Sequence, residues 1–257
     1  MPDFLTAIDW SQVLPFIAIG FAAQVVDGAL GMAFGVINST LLVTVMGVPP
    51  AVASASVHAV ETFTTAASGV SHIAHRNVDW KLFRRLVLPG MAGAILGATL
   101  LSNIDASVAK PFVMTYLACI GLYLLFRALR GEIKPRAPRV VAPLGLVGGF
   151  LDAAGGGGWG PVVTSNLLIQ GATPRHTIGT VNTAEFFLTA TASVTFFIAL
   201  GWSAFTIHTL GILIGGIVAA PIGGVLAKRV PTRQLMALVG VLLSLTSAWS
   251  IYAAIAK

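Results

Sequence analysis

Charge is scarce in this chain. Only 9% of its 257 residues are Asp, Glu, Lys or Arg, against about a quarter in a soluble domain. Cysteine is nearly absent. The single Cys119 sits in an apolar run, which excludes a disulfide framework. No nucleotide-binding motif, no nucleophile–base pair and no H-E-x-x-H metal motif is present, so the chain reads as no enzyme, with no cofactor and no metal site. The start, Met1, Pro2 and Asp3, lacks a basic stretch and a small-residue cleavage site, so no signal peptide is expected. What fills the chain instead is apolar: 56% hydrophobic residues and a mean hydropathy of +0.89. No soluble fold of this size hides that much apolar surface. Between Asp9 and Arg76 the only acidic or basic side chains are Asp27 and Glu61. Between Arg139 and Arg175 there is only Asp152, and between Arg175 and Lys228 only Glu185. These stretches predict a multi-pass, all-α membrane protein embedded in a lipid bilayer. The net charge of +6 does not point to nucleic acid, because the basic residues gather in short loops.

The chain repeats itself. A shift of 125 residues superposes Asp27 on Asp152, Gly31 on Gly156 and Gly35 on Gly160. A shift of 124 superposes Gly47 on Gly171, Pro50 on Pro174, Glu61 on Glu185 and Thr65 on Thr189. The first repeat is expected over 1–130, with a glycine-broken segment at 12–47 and spans at 50–75, 83–102 and 111–129. A linker follows at 131–139. The second repeat covers 140–257, with a broken segment at 140–171 and spans at 174–200, 205–227 and 233–256. Paired glycine-interrupted hydrophobic segments in two halves are the sequence pattern of a transport protein's binding site.

Charge arbitrates the topology. If each broken segment is a re-entrant hairpin, each half has three crossings and the two repeats are inverted. Thirteen of the fifteen basic residues then share one side, and both termini lie on the other. That arrangement obeys the positive-inside rule. The alternative is an eight-span parallel 4+4 repeat, which moves Arg175 and the cluster Lys228, Arg229, Arg233 to the opposite side. The inverted reading is preferred.

Irregular backbone at membrane depth must be buried in protein or line a cavity. A new helix is expected just after each break, near Gly35 and at Gly160, where Pro161 suits a first turn. A helix start offers free N–H groups and the positive dipole end, and glycine lets an anion approach them. The expected substrate-binding residues are Gly31, Gly35, Asn38 and Ser39 in the first half. In the second they are Gly156, Gly157, Gly158, Trp159, Gly160, Thr164 and Asn182. The competing reading is close helix packing, which is preferred for Gly93, Gly97, Gly211 and Gly215. Asp27 and Asp152 precede the breaks and either cap the following N–H groups or bind a coupling cation; capping is favoured. Glu61 and Glu185 lie eleven residues past Pro50 and Pro174, about 16 Å deep at ~1.5 Å per residue. Ionisable residues there serve coupling or gating, or else a core hydrogen bond to Asn182, His58 or the loop backbone. His58 and Asn182 stand one turn before the glutamates and are expected to face the same cavity.

The broken segments DGALGMAFG and DAAGGGGWG, with the downstream GVPPAVASASVHAVE and GATPRHTIGTVNTAE, resemble the sulfite exporter TauE/SafE family, also known as the toluene-sulfonate uptake permease family. The resemblance covers nearly the whole chain, although the first break is poorer in glycine. It implies a secondary transporter in the bacterial inner membrane for small sulfur-containing anions, exporting sulfite or an organosulfonate such as sulfoacetate. Protons or another ion are candidate coupling partners. An anion channel is a variant. A metal or cation transporter using His58, Glu61, Asp27 and Asp152 is the competing class.

Overall fold

The computed structural model describes residues 10–30, 32–129, 137–205, 207–226 and 232–255. Gly31, most of the 131–139 linker and Lys228, Arg229 and Arg233's loop up to 231 lie outside them. Among the described residues the chain is all helical: α1 (Trp10–Leu30), α2 (Phe34–Thr44), α3 (Pro50–Ala74), α4 (Trp80–Asn103), α5 (Ala106–Leu129), α6 (Ala142–Gly155), a π-helical turn (Gly160–Thr164) running into α7 (Ser165–Ile169), α8 (Pro174–Leu200), α9 (Ile207–Leu226) and α10 (Thr232–Ile255). Among the described residues, four helices are long and apolar enough to cross a membrane, within Trp10–Asp27, Trp80–Asn103, Ala106–Leu129 and His176–Leu200. The helix of Pro50–Ala74 is as long but carries His58, Glu61 and a run of Ser and Thr. The expected spans stand within a few residues of these bounds, except that α5 starts five residues before Pro111, which sits inside the helix.

Small residues set the packing. In a bilayer no hydrophobic drive separates helix–helix from helix–lipid contact, so close backbone approach carries the association. On α4 a Cβ at Gly93 would stand 2.8 Å from the Phe150 nitrogen, and one at Gly97 3.0 Å from that of Ala154. The contacts advance together along both chains, so α4 and α6 run parallel. Helix α1 lies against α9 in the same way. A Cβ at Gly211 would be 2.5 Å from the Phe16 Cβ, and one at Gly215 2.6 Å from the Phe21 nitrogen. These four glycines serve packing. The other two main pairings are antiparallel. Thr62 Oγ1 is 3.3 Å from Ser193 Oγ and Thr65 Oγ1 3.4 Å from Thr189 Oγ1, while Gly69 approaches Thr183, so α3 and α8 run in opposite directions. Gly121 approaches Ser244, and Gly240 approaches Leu125, which sets α5 antiparallel to α10.

The second broken segment turns back on itself. The Gln170 side chain accepts from the Arg139 and Val140 N–H groups, both at 2.9 Å, and donates to the Val140 carbonyl at 3.1 Å. The far end of α7 therefore returns to the end where α6 begins. The α3–α4 connection lies there too: Arg85 donates to the Arg139 carbonyl at 3.0 Å, and the Asp79 N–H donates to Thr180 at 2.8 Å. Asp79 caps α4 by accepting from Lys81 and Leu82 N–H, a contact of about 1 kcal/mol. At the opposite end, Phe16 of α1 packs edge-on against His208, and Thr209 donates to Ser56 at 2.9 Å. The starts of α1, α3 and α9 thus share that end. Trp10, Trp80, Trp202 and Trp249 are all exposed, as suits an interfacial belt.

Candidate functional site: two helix breaks that meet

The break before α2 and the break after α6 touch. A Cβ on Gly35 would stand 2.9 Å from Gly157 Cα, and one on Gly157 2.5 Å from the Val36 nitrogen. Neither position admits a side chain. Ser39, one turn into α2, donates to the Gly156 carbonyl. Tyr116 of α5 donates to the Gly157 carbonyl at 3.1 Å, and its ring fills the space beside Gly155 and Gly158. The glycine faces expected to admit an anion are thus occupied by Gly35, Ser39 and Tyr116 in this conformation.

Each break is held by its aspartate. Asp27 Oδ1 accepts from the Phe34 N–H at 3.1 Å, and Asp152 Oδ1 from the Trp159 N–H at 2.8 Å. Both carboxylates cap the helix start seven residues on, the role preferred for them from sequence. The two breaks share a positive φ at one equivalent position despite different composition. Gly158 has φ +143° and Ala33, its equivalent under the 125-residue shift, φ +120°. A left-handed alanine is costly, so the glycine-poor first copy keeps the turn at the expense of strain.

The polar groups around the contact come from several helices. His58 Nε2 lies 3.1 Å from Asp152 Oδ2, and His58 Nδ1 is 2.8 Å from the Ser54 carbonyl. Ser54 donates to the Ala153 carbonyl at 2.8 Å. Glu61 is 5% exposed, and its Oε1 lies against Gly35, 3.0 Å from where a Cβ on that glycine would stand. Its second oxygen, Oε2, has no partner. Asp152, Glu185 and Asp27 lie within electrostatic range of Glu61.

Other expected residues are used differently. Asn182 donates to the Ile178 carbonyl of its own helix at 3.0 Å, so it does not mirror His58. Asn38 likewise donates to the Phe34 carbonyl at 2.8 Å. Trp159 is fully buried in a core with Leu86, Val163, Val181 and Leu188, and its indole donates to the Val181 carbonyl at 3.2 Å. Gly160 and Thr164 bound the buried π-helical turn that opens the second half-helix. Glu185 is only partly buried. Sequence reasoning missed Tyr116 and Ser54. Ser54 was findable, one turn before His58 on the same helix face; Tyr116 reads from sequence as one more aromatic in an apolar span. Among the described residues no three His, Cys, Asp or Glu side chains converge as a metal-ligand set.

Among the described residues, ten α-helices with small-residue contacts, two internal breaks and buried carboxylates define a polytopic membrane transport protein. Residues 16–249 match the sulfite exporter TauE/SafE family, and the chain belongs to it. It is 44% identical over 246 residues to a protein of Bacillus subtilis (strain 168) named "Probable membrane transporter protein YtnM", covering 92% of this chain and 82% of that one. No solved structure matches. The chain is accordingly an integral membrane transporter and not an enzyme.

Proposed function

We propose that the protein is a secondary transporter of small sulfur-containing anions in the bacterial inner membrane, exporting sulfite or an organosulfonate such as sulfoacetate. The observation that carries this reading is the contact of Gly35 with Gly157, which sets two capped half-helix starts against each other inside a TauE/SafE chain. The N-terminal dipole ends favour negative charge. Transport requires that contact to part, because the glycine faces are filled when it is closed. Glu61, Glu185, His58, Asp27 and Asp152 serve coupling or gating around it.

The architecture behind this reading is two inverted repeats over 1–130 and 140–257, each a re-entrant hairpin followed by three spans. Three observations support it. Equivalent helices α3 and α8 pack antiparallel, as do α5 and α10. The second broken segment returns to its own starting end through Gln170. The pairing of α1 with α9 is matched by that of α6 with α4. Arg76, Lys81, Arg84, Arg85 and Arg139 then mark the cytoplasmic side, and the termini are periplasmic.

The test is flux from proteoliposomes loaded with sulfite, sulfoacetate, sulfate or chloride, with a thermal-shift panel that adds nickel and sodium. Saturable efflux of sulfite or sulfoacetate with stabilisation by the same anion is expected. Stabilisation by nickel alone, with no sulfur-anion flux, overturns the reading in favour of a cation transporter.

A further inference from the structure

Most of the buried acids at the meeting point already have work. Asp27 holds the Phe34 N–H, and Asp152 holds the Trp159 N–H while facing His58. Glu61 differs. One side of its carboxylate, Oε1, rests on Gly35, at the start of the eleven-residue α2. The other oxygen, Oε2, is buried without any donor. A second orphan lies on the same helix as Gly35. Asn38, three residues past Gly35 and so on the adjoining face of the same helix, is 0% exposed, spends its amide on Phe34, and leaves Oδ1 unpartnered. Both orphans are acceptors. An anion satisfies neither; a proton on Glu61 turns one of them into a donor.

The charged surroundings point the same way. Within electrostatic range of Glu61 are Asp27 from α1, Asp152 from α6 and Glu185 from α8; His58, three residues earlier on its own helix, is held against Asp152, and the Tyr116 hydroxyl of α5 is bonded to Gly157. From α9 comes His208, which packs against Phe16 towards the opposite end of α1. The balance is acidic, and like charges at short range in a poorly screened interior repel strongly. An anion reaching the start of α2 meets an ionised Glu61 there as a competitor for the same dipole end.

We propose that Glu61 is the coupling site of the transporter: it takes up one proton as the substrate anion binds at the parted helix breaks and releases the proton with the anion on the far side. This rests on the anion reading given above. Linkage makes the effect reciprocal, so each ligand strengthens binding of the other. It fixes the coupling and leaves direction to the two gradients. Glu185, the equivalent residue under the repeat, is only partly buried where Glu61 is 5% exposed; it keeps the gating role and is not the proton carrier.

The test uses the full-length protein in nanodiscs with two probes, sulfite and methanesulfonate. Methanesulfonate keeps a fixed charge across the working range, so any pH dependence belongs to the protein. Calorimetry in buffers of different ionisation heat counts protons. For the wild type, uptake of about one proton per bound anion is expected, with affinity falling up to about tenfold per pH unit on the alkaline side, the limit for one linked proton. Glu61→Gln should bind with a flat pH profile and no proton uptake, Glu61→Asp should shift the profile, and Glu185→Gln should retain it. Proton uptake that survives in Glu61→Gln, or is lost in Glu185→Gln, overturns the proposal. A ligand-free arm separates the two claims. Infrared titration should show a carboxyl band in the wild type and in Glu185→Gln that is missing from folded Glu61→Gln. If that band is present but neither probe binds, the anion reading fails and the co-binding with it, while the proton site stands. If the band is the same in Glu61→Gln, the proton site fails whatever binds.

Discussion

His58 Nε2 and Asp152 Oδ2 lie 3.1 Å apart, 94 residues apart in sequence, and join α3 of the first half to the break of the second. The pair is buried on both sides, at 0% and 3% side-chain exposure. Removing one partner of such a pair strands the other. His58→Ala is therefore expected to destabilise the protein by about 3 kcal/mol. Asp152→Asn keeps an oxygen for the Trp159 N–H and should cost nearer about 1 kcal/mol. The double variant should cost less than the sum of the two, with a coupling of about 1–3 kcal/mol. Unfolding in detergent of the four proteins of this cycle checks it. Strictly additive losses would mean that the two side chains do not act as a pair.

The left-handed Ala33 gives an opposite sign. At φ +120° a glycine is relieved of strain that alanine carries. Ala33→Gly should stabilise the protein by about 1 kcal/mol even though it removes a buried methyl group. Gly158→Ala, at the equivalent turn, should destabilise by several times that, because the new Cβ runs into the Tyr116 hydroxyl as well as into a forbidden conformation. Paired melting curves decide it, and a destabilised Ala33→Gly would show that the turn is not strained.

Much of this is legible in the sequence. The apolar runs locate the helices, because a lipid-facing helix must satisfy its own backbone and announce itself by composition. The breaks announce themselves by glycine, and Asp27 and Asp152 as caps by their place just before each new helix. What the sequence hides is partnership. The 124-residue repeat makes His58 and Asn182 look alike, yet one reaches Asp152 and the other bonds its own helix. Trp159 reads as a pocket residue because it stands among glycines, but its ring fills a core made by α4, α6 and α8. Such choices depend on which helices become neighbours, and the pairing of α1 with α9 and α6 with α4 crosses the repeat boundary, where local pattern carries no information.

The hairpin geometry predicts labelling. In a Cys119→Ser background, single cysteines at Ala137, Gln170 and Ser107 report on three connections. Ala137 and Gln170 lie at the end rich in Arg and Lys, and exposed Ser107 follows Asp105 at the other. In whole cells Ser107→Cys should react with an impermeant maleimide. Ala137→Cys and Gln170→Cys should react only after permeabilisation. Labelling of Ala137→Cys and Gln170→Cys from opposite sides would mean that the second broken segment crosses the membrane, and the parallel alternative would stand.

Tyr116 tests whether closure of the two breaks matters for transport or only for folding. Its hydroxyl donates to the Gly157 carbonyl at 3.1 Å, and its ring packs beside Gly155 and Gly158. Tyr116→Phe keeps the ring and removes one hydrogen bond, a loss of about 1 kcal/mol, so the protein should fold and reach the membrane. If the closed contact between Gly35 and Gly157 is one state of a transport cycle, weakening its brace shifts the balance towards the parted state by about fivefold for that energy. Substrate affinity should rise while the maximal flux changes, since a state that binds better must still close to deliver. Tyr116→Ala should do the same to affinity but also lose stability through the cavity left by the ring. Equilibrium binding and flux of sulfite measured on the same preparations separate the two effects. If Tyr116→Phe lowers stability and leaves both affinity and flux unchanged, Tyr116 only supports the fold and the contact it braces does not open during transport.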